Sequence, residues 1–517
     1  MYDPYLLQNI DLARDRIVLA IQTGEVISLF VDPDCDGVCS SAIMYNYLKN
    51  FTDNVNYFHN QRSEGHGIVT SMHLIPENTQ LLIIIDSSSS DTEQCKILKS
   101  KYIDIIILDH HLIERENPYC ILVNPQTCNY PNKYISGSVV AWKMISVLDK
   151  VLNSNLSNDY IDLAAIGLLG DQMNMLEYEN RYIVHQGLNN IRNKGIKALL
   201  SEFGKDKNKL SSTDILYSVI PALNAACRLD QIEIALALLT EEDPKKVKQL
   251  AQEIIKLNNE RKVVQAKYYN ELVGLVNPND KCSIIINNSI GSGYRGLLAG
   301  DLSNEFKKPV MVLSESDDDT YKGSYRSGDI NLKTILNSIP QVIYAAGHPY
   351  AGGVCFKKDD LNLIQAQLNE LLPPFNTQQD CLEYVLEFDI DEINEQLIKD
   401  VEGFYRISGN GFNVGLFKIN NVFILDKQLL GKEQNTIKLN VCSSDYARKH
   451  KSWGYDNIDP THFLMKFRTT NDYISDKCIH KEISVLGTLN LNIFKNQRTG
   501  KITKSKQIFI EDYKLVF

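Results

Sequence analysis

The chain has 517 residues, a formal net charge of −10 and 44% hydrophobic residues. This length and apolar content predict a globular protein of three or four domains. The negative balance excludes a protein that coats a polyanion with its whole surface, although a local basic patch can still bind one.

The cysteines and the start of the chain indicate the compartment. The 11 cysteines are scattered without a CxxC pair, so neither a zinc knuckle nor a disulfide framework is indicated. The chain begins without the basic and apolar stretches of a signal peptide, and no apolar run approaches the roughly 18 residues of a membrane span. We therefore expect a cytoplasmic protein that does not contact a membrane.

The first third of the chain alternates between helical and extended patterns. Residues 5–22 have apolar residues at helical spacing, and Gly24 separates them from a strand at 26–31. Aliphatic runs predict further strands, and helical patterns separate them: strands at 55–58, 81–85, 103–108 and 120–123, helices at 40–48 and 92–100. This alternation predicts a doubly wound parallel sheet.

Helical patterns dominate from Gly137 to about Val276, and residues 243–275 are predicted to form one long connecting helix. A second α/β unit follows and ends near Leu372. Its predicted elements are strands at 282–287, 310–313 and 321–325 and helices at 297–306 and 332–338.

From about residue 383 the pattern becomes mostly extended. The predicted strands lie at 412–419, 422–425, 436–441, 463–467, 483–494 and 508–515. Half a dozen strands in so short a segment suit a small β-barrel. Residues 427–517 hold more Lys and Arg than Asp and Glu, so the basic surface is expected at this end.

Acidic and imidazole residues follow the strands of the first sheet. Asp32, Asp34 and Asp36 come directly after one strand, and ionised carboxylates so placed are too costly to bury without a cation. Open α/β sheets place their chemistry just past the strand ends. We therefore expect these groups to meet the residues that follow in the chain: Asp86, Asp109, His110, His111 and Asp171.

Such a set of ligands has a preferred metal. Carboxylates combined with an imidazole suit Mn²⁺, with Mg²⁺ as the alternative. A shared carboxylate can hold two ions about 3.5 to 4 Å apart, the arrangement that supports in-line phosphoryl displacement. The implied reaction is phosphoester hydrolysis.

Each piece alone has a simpler interpretation. The run Asp32-Pro33-Asp34-Cys35-Asp36-Gly37 could be a calcium loop or a plain turn, and Asp86 or Asp171 alone could cap a helix. The histidine pair could belong to a core. Their order after successive strands favours the metal site.

This ordered set resembles the four motifs of the DHH phosphoesterase superfamily, which includes RecJ exonucleases, nanoRNA and cyclic-dinucleotide phosphodiesterases and family II pyrophosphatases. The resemblance implies one set of metal ligands, with Asp86 shared between two ions: Asp34, Asp36, Asp86, His110 and Asp171.

The resemblance also implies roles for three neighbours. Asp32 is similar to an additional aspartate of the RecJ branch, which would serve as a ligand or support one. His111 would contact the scissile phosphate or the leaving group, and Asp109 would orient an imidazole.

Four further segments resemble the exonuclease-like branch specifically. They are 60–67 (N-Q-R-S-E-G-H-G), Asn124-Pro125 with Ser136-Gly137-Ser138-Val139, 223–228 (L-N-A-A-C-R) and 257–261 (L-N-N-E-R). Cys227 replaces a glycine that the family usually has in what we expect to be a turn, and Arg228 is expected to contact phosphate.

The second α/β unit resembles the DHH-associated domain, which closes over the active site in this superfamily. Residues 323–327 match G-S-x-R-S, and residues 347–353 match G-H-x-x-A-G with Ala346 in place of a preceding glycine. Backbone N–H groups and a guanidinium can grip a phosphate. The expected end-phosphate pocket comprises Arg228, Ser324, Arg326 and His348. The alternatives are a tight turn at 347–353 and a surface position for Arg326.

The C-terminal segments 406–412 and 487–492 resemble the oligonucleotide-binding barrel of RecJ proteins. A predicted hairpin there carries candidate nucleic-acid contacts: Lys495, Arg498, Lys501, Lys504 and Lys506. Four aromatic residues could offer stacking faces or belong to the core: Trp453, Tyr455, Phe463 and Phe467.

These patterns together predict an α/β protein with a C-terminal barrel. We expect a parallel-sheet DHH catalytic domain (1–200), a helical connector with the long helix (201–277), an α/β DHH-associated substrate-binding domain (278–375) and an oligonucleotide-binding-like domain (383–517).

The resemblance implies a 5′-to-3′ exonuclease that uses two divalent ions to hydrolyse single-stranded DNA to mononucleotides in recombination and repair. The alternatives are a phosphodiesterase for nanoRNA, bisphosphate nucleotides or cyclic dinucleotides, and an inactive scaffold in a replication or repair complex. The expected partners are single-stranded DNA, with RNA as the alternative, and a helicase or single-strand-binding protein, for a protein that is a monomer.

Overall fold

The computed structural model describes residues 1–62, 65–206, 209–316, 318–373, 382–413, 415–431, 434–467, 469–495 and 502–516, with backbone alone at 494 and 495. The chain divides into two compact units, Met1–Thr377 and Gln378–Phe517. No helix within the described ranges combines the length and the apolar character that a membrane span requires.

The first unit begins with a five-stranded sheet in which every neighbouring pair is parallel, in the order β2-β1-β3-β4-β5. The strands are β1 (Ile27–Val31), β2 (Val55–His59), β3 (Leu81–Ile85), β4 (Asp104–Leu108) and β5 (Ile121–Val123). All residues of β1 and β3 are buried, as expected of aliphatic strands at the centre of a parallel sheet. The α/β fold predicted from the sequence is confirmed.

Helices account for most of the rest of this unit up to residue 272. They are α1 (Ile10–Thr23), α2 (Cys35–Leu48), α3 (Thr92–Ser100), α4 (Gly137–Leu152), α5 (Ile161–Gly170), α6 (Tyr178–Asn189), α7 (Lys194–Glu202), α8 (Ser212–Asp214), α9 (Ile220–Arg228), α10 (Ile232–Thr240) and α11 (Pro244–Leu272). The long helix is present as α11, and its N-terminus is capped by the side chain of Asp243.

One expected turn is a helix. Cys227 and Arg228 are the last two residues of α9, and Cys227 is buried there. A helical residue has negative φ, so this position does not need a glycine.

A second sheet of five strands follows in the order β6-β7-β8-β10-β9. Its elements are β6 (Ser283–Ile286), α12 (Ser292–Phe306), β7 (Val310–Ser316), β8 (Thr320–Arg326), α13 (Leu332–Asn337), β9 (Val342–His348), β10 (Ala351–Lys357) and α14 (Leu361–Leu371). The sequence analysis missed β9, β10 and α14. Most of the 347–353 motif therefore lies on two antiparallel strands, and Ala351 pairs with both Arg326 and His348.

The second unit is a barrel with helices outside it. Its elements are β11 (Tyr384–Asp389), α15 (Glu395–Tyr405), β12 (Leu416–Leu430), β13 (Thr436–Ser443), α16 (Ser444–Lys449), β14 (His462–Lys466), β15 (Glu482–Lys495) and β16 (Ile502–Leu515). The strand order is β11-β12-β13-β14-β16-β15, and the pairing of β15 with β12 closes the sheet. Two strands expected at 412–419 and 422–425 are one strand, β12.

Candidate metal centre

Three strand ends bring the first acidic residues to one edge of the parallel sheet. Val31 pairs with Ile85, and Ile85 pairs with Leu108. The next residue after each is an aspartate, namely Asp32, Asp86 and Asp109, and all three are buried. Asp86 has a φ of 66°, a left-handed conformation that is unusual outside glycine.

The start of α2 supplies two further carboxylates. Asp34 caps this helix, and its Oδ1 accepts hydrogen bonds from the N–H groups of Asp36 (3.0 Å) and Gly37 (3.1 Å). Asp36 Oδ1 accepts hydrogen bonds from Ser136 Oγ (2.9 Å) and from the Ser138 N–H (3.1 Å). The other oxygen of Asp36 is left to face the centre.

Among the predicted metal ligands, four buried atoms have no hydrogen-bond partner in the described structure. They are Asp36 Oδ2, Asp86 Oδ1, His110 Nε2 and Asp171 Oδ2. His110 Nε2 lies 3.1 Å from Asp86 Oδ1 and 3.4 Å from Asp171 Oδ2. Buried polar atoms without partners are costly, and a bound cation would satisfy all four.

Asp86 belongs to two groups whose ligand atoms all lie within 4.8 Å of one another. One group contains Asp109, His110 and His111, and the other contains Asp32 and Asp34. A further group joins Asp36, His110 and Asp171 within the same distance, so His110 links it to the first. The sequence-predicted ligands are thus brought together, and Asp86 is shared by two of these groups.

The electrostatics of these groups suit a divalent ion. Burial raises the pKa of the Asp86 and Asp171 carboxyls, and the neighbouring carboxylates of Asp34 and Asp36 raise it further. Burial and the positive charge of His111 lower the pKa of His110 to about 3. A neutral imidazole keeps a lone pair on one ring nitrogen, as a metal ligand requires. The residues present therefore fit a divalent metal ion.

Asp109 holds His111 instead of offering a free ligand atom. Its Oδ1 accepts hydrogen bonds from His111 Nδ1 (2.8 Å) and from the His110 N–H (2.7 Å), while Oδ2 accepts one from Ser89 Oγ (2.6 Å). Burial lowers the pKa of His111, but the charge of Asp109 and this hydrogen bond outweigh it and raise the pKa to about 10. The ring of His348 lies 5.9 Å from that of His111.

Asp32 is held by residues of the 60–67 segment. Its Oδ2 lies 3.0 Å from His66 Nδ1, and its Oδ1 accepts a hydrogen bond of 3.4 Å from the Gly67 N–H. The motif that contains His66 was identified in the sequence, but no contact between the two segments was predicted from it.

Ser324 and Arg326 meet beside α12. A Cβ on Gly296 would lie 2.9 Å from Arg326 Nη2 and 3.5 Å from Ser324 Oγ, so the guanidinium packs closely against this glycine. Arg326 Nη1 donates a hydrogen bond to the Tyr325 carbonyl (2.7 Å), which orients the group. His348 lies beside His111, as described above.

Arg62 and Arg228 complete a cluster of positive charges with Arg326. Burial, followed by the charges of Arg62 and Arg326, lowers the pKa of Arg228 to about 9. Arg62 Nη1 donates to the Pro33 carbonyl (2.7 Å) and lies 3.9 Å from Asp34 Oδ2. Like charges crowd together at a cost unless an anion joins them. The sequence analysis did not assign Arg62 to this pocket, although it lies in the 60–67 motif.

Asn180 was not predicted as a site residue, and it tethers two loops of the centre. Its Nδ2 donates hydrogen bonds to the carbonyls of Tyr134 (2.7 Å) and Asn174 (2.8 Å), and its Oδ1 accepts one from Asn132 Nδ2 (2.9 Å). Tyr134 lies just before Ser136, and Asn174 lies just after Asp171. Sequence spacing gives no signal for such a contact.

Of the candidate nucleic-acid-binding residues of the barrel, Lys504 and Lys506 have described side chains. Lys504 lies 2.9 Å from Glu395 Oε2, and Lys506 Nζ donates to the Ile393 carbonyl (3.1 Å). Both lysines line a groove of about 750 Å³ together with Phe463 and Lys438, whose Nζ lies 4.4 Å from the Phe463 ring centroid. The side chain of Lys495 and all of Arg498 and Lys501 lie outside the described residues.

Three family models match the chain in succession. The DHH family N-terminal domain matches residues 26–168, the DHHA1 domain matches 288–373 and the RecJ OB domain matches 386–504.

Two bacterial proteins illustrate the similarity of sequence. A putative SPbeta prophage-derived single-strand DNA-specific exonuclease, YorK, of Bacillus subtilis is 28% identical over 533 residues, covering 96% of this chain and 89% of YorK. The single-stranded-DNA-specific exonuclease RecJ of the same bacterium is 31% identical over 396 residues, covering 74% of this chain and 50% of that protein.

The fold is similar to that of a solved RecJ. The crystal structure of RecJ from Thermus thermophilus in complex with Mn²⁺ aligns with a TM-score of 0.77 at 20% identity. The alignment covers 98% of this chain and 72% of that one.

Proposed function

The chain belongs to the DHH family and has the domain order of RecJ exonucleases, and from this premise we propose that it degrades single-stranded DNA from the 5′ end to mononucleotides. It is a metal-dependent exonuclease that hydrolyses phosphoester bonds. The direction of degradation, the mononucleotide product and a role in recombination and repair are the proposed parts.

One observation carries the proposal. Four buried ligand atoms converge without a hydrogen-bond partner among the described residues, at the edge of the sheet where the strands end. A scaffold protein would gain nothing from unpaired buried carboxylates, because they lower its stability. A catalytic metal centre explains them.

The residues of the centre divide the chemistry among them. Asp34, Asp36, Asp86, His110 and Asp171 would hold the metal ions, and Asp32 would hold an ion or support its ligands. Divalent ions in such a site activate water and offset the charge of the phosphate. His111, which Asp109 orients and keeps protonated, would donate a hydrogen bond to the scissile phosphate or the leaving group.

The arginine cluster would seat the terminal phosphate. Arg62, Arg228 and Arg326 carry like charges that an anion would offset, and Ser324 Oγ lies near the Arg326 guanidinium. His348 would then contact the substrate beside His111.

The barrel is the expected site for the rest of the strand. Its groove combines an aromatic ring, Phe463, with Lys438, Lys504 and Lys506, the chemistry that suits stacked bases and a phosphate backbone. A phosphodiesterase for dinucleotides does not require such a module. Binding should weaken strongly as salt rises.

End-labelled DNA tests the proposal. Purified protein with Mn²⁺ is offered single-stranded DNA labelled at either end, beside a dinucleotide, a bisphosphate nucleotide and a cyclic dinucleotide. Early release of the 5′-labelled mononucleotide is expected. Release of the 3′-labelled terminus alone, or turnover of the small substrates alone, would contradict it.

A paired variant controls this assay. Asp86→Ala should abolish cleavage and leave DNA binding measurable, whereas Asp53→Ala, whose side chain is 98% exposed, should retain full activity. An active Asp86→Ala variant would mean that the metal assignment is wrong.

The proposal also covers the domain boundaries, the cellular location, the oligomeric state, the partners and the preferred metal. We infer a division of the first unit at about residues 200 and 277, a cytoplasmic location, a monomer, and recruitment by a helicase or single-strand-binding protein. Mn²⁺ is the preferred ion and Mg²⁺ the alternative, since mixed oxygen and nitrogen ligands favour the former.

A further inference from the structure

The segment that joins β13 to β14 carries three aromatic rings in a row. The ring centroids of Tyr446 and His450 are 4.2 Å apart, and those of His450 and Trp453 are 4.3 Å apart. We call Tyr446, His450 and Trp453 the aromatic platform. Neighbouring rings are tilted by 37° and 58° to one another, so each packs against the next, and Trp453 lies at the end of the row.

The platform is anchored on a small core of its own. Ala447 and Ile458, which lie on either side of Trp453 in the chain, are buried with Phe423, Leu425 and Cys442 of the barrel, and Tyr446 packs against this cluster. The segment that carries the platform is therefore packed against the barrel on both sides of Trp453 in the chain.

Hydrogen bonds hold the middle ring, His450, and the backbone of Trp453 in place. His450 Nδ1 lies 2.9 Å from the Tyr446 carbonyl. The Trp453 N–H donates to the His450 carbonyl (2.9 Å), and the Trp453 carbonyl accepts from Asn457 Nδ2 (2.7 Å). A preorganised ring loses little conformational freedom when a ligand stacks on it.

Trp453 is largely exposed to solvent and is not part of the barrel core. Its exposed fraction is 55%, whereas Trp142 in the first unit is 7% exposed and donates a hydrogen bond from Nε1 to the Ser157 carbonyl. Tryptophan is among the side chains that most often dominate binding surfaces.

Positive charges flank the rings. Arg448, Lys449 and Lys451 are exposed and flank His450 in the sequence. Arg448 forms an ion pair of 2.7 Å with Asp445, but Lys449 and Lys451 form none with any carboxylate among the described residues. Two ammonium groups without a carboxylate partner, close in the chain to an exposed tryptophan, suit the phosphates and bases of a single strand.

We propose that the aromatic platform, with Lys449 and Lys451, is a binding site for single-stranded nucleic acid, at which a base stacks on Trp453 and the flanking phosphates contact the lysines. The groove lined by Phe463 and Lys504 shares no residue with it. The ligand class rests on the proposed function, since the strand bound is the substrate. Stacking accepts any base, and paired bases inside a duplex do not offer their faces.

Tryptophan fluorescence provides a direct test. The chain has 2 tryptophans, and only Trp453 is exposed. Titration of the full chain with oligothymidylate, in EDTA to prevent cleavage, should quench the emission. The quench should disappear in Trp453→Phe. In Trp453→Ala the Kd should rise about tenfold, the scale of one base stacked on an aromatic ring.

A matched substitution controls for the loss of an exposed ring. Phe404 lies in α15, is 58% exposed and does not belong to the platform, so Phe404→Ala should leave the Kd and the quench unchanged. An equal loss of affinity in Phe404→Ala and Trp453→Ala would overturn the proposal.

The lysines predict a second, independent signature. The slope of log K against log salt should fall by about 1.4 in Lys449→Gln/Lys451→Gln, since each phosphate contact to a single strand contributes roughly 0.7. The pair Lys399→Gln/Lys477→Gln, also exposed in this unit, should keep the slope of the unmodified chain.

The outcomes separate this inference from the proposed function. Cleavage of single-stranded DNA without any quench would overturn the platform as a strand contact. A quench that Trp453→Phe abolishes, in a chain that does not cleave DNA, would support the platform and contradict the proposed function.

Discussion

Gly167 packs directly against the Asp36 carboxylate. A Cβ at this position of α5 would lie 2.3 Å from Asp36 Oδ1 and 2.1 Å from Ser138 Oγ, which is closer than side-chain carbon atoms approach either group. The hydrogen bond between Ser138 and Asp36 therefore depends on the absence of a side chain on the neighbouring helix.

We predict that Gly167→Ala lowers the exonuclease rate at least a hundredfold and the free energy of unfolding by about 1 to 3 kcal/mol, the usual cost of overpacking. The added methyl group must displace the carboxylate or the serine, and either shift moves a metal ligand. Steady-state cleavage and thermal melting check this.

Gly403→Ala is the matched control for this substitution. Gly403 lies in α15, and no atom would lie within 4 Å of a Cβ built there. Because alanine favours a helix interior over glycine by roughly 0.5 to 1 kcal/mol, the control should melt slightly higher with full activity. Equal effects at both positions would contradict the close approach.

Metal binding should raise the free energy of unfolding and the melting temperature of the protein. Mn²⁺ at a hundredfold excess over its Kd should stabilise the protein by about 2.7 kcal/mol, because it satisfies the four buried atoms and screens the carboxylates. Asp86→Asn should raise the melting temperature of the metal-free protein and remove most of the Mn²⁺-dependent rise, as measured by calorimetry with and without EDTA. A metal-free Asp86→Asn variant that melts lower would contradict the repulsion between carboxylates.

The arginine cluster predicts selectivity for the end group of the DNA. Arg228→Gln should raise KM for DNA with a 5′-phosphate about tenfold to a hundredfold, the scale of one hydrogen bond to a charged group. Its effect on DNA with a 5′-hydroxyl should be small. The free protein should melt at the same temperature or higher, since a buried charge beside Arg62 and Arg326 has been removed.

Arg192→Gln serves as the control for charge alone. Its side chain is 58% exposed. The substitution should leave KM unchanged both for DNA with a 5′-phosphate and for DNA with a 5′-hydroxyl. If Arg228→Gln weakened both kinds of DNA equally, the cluster would be a general contact to the strand instead of an end pocket.

Asn180 predicts a positioning effect at a distance. Asn180→Ala should lower Mn²⁺ affinity by up to about tenfold, the lower end of the effect of residues that orient metal ligands, because Asn180 holds the loops next to Ser136 and Asp171. Titration of Mn²⁺ against activity should show the loss recovered at high metal, with an unchanged KM for DNA. Asn158→Ala, at an exposed position of the 3-10 helix Ser157–Tyr160, is the control. A lower melting temperature with unchanged Mn²⁺ affinity would make Asn180 a residue of stability alone.

The sequence predicted the parallel sheet because its strands are buried on both faces and consist of aliphatic runs. It missed β9 and β10, where Ala345, Ala346, Gly347, Gly352 and Gly353 replace the bulky residues that mark a strand. It divided β12 at Asn420 and Asn421. Asn421 has a φ of 60°, and the pairing with β15 shifts register between Ile419 and Val422, so the strand continues through a bulge.

The metal ligands could be predicted because each follows a recognisable strand or motif. The residues that hold these ligands in place could not be predicted. Ser138, Asn180 and His66 reach the centre through contacts between segments that are far apart in the chain. Arg62 lies within an identified motif, but its position beside Arg228 depends on how α9 packs. The spacing of residues in the sequence does not predict that packing.

Arg326, Ala351 and His348 form a row across the second sheet, and this row fixes the distance between Arg326 and His348 as well as their position. Ala351 pairs with both of the others across antiparallel strands, so Arg326 and His348 are two strand spacings apart, about 10 Å, on the same face. If, as we propose, the end phosphate binds at Arg326 and the reacting phosphate lies beside His348, this fixed separation would set the length of the piece removed at each cut. That length would then be determined by the backbone hydrogen bonds of the sheet, and it would be the same for every base.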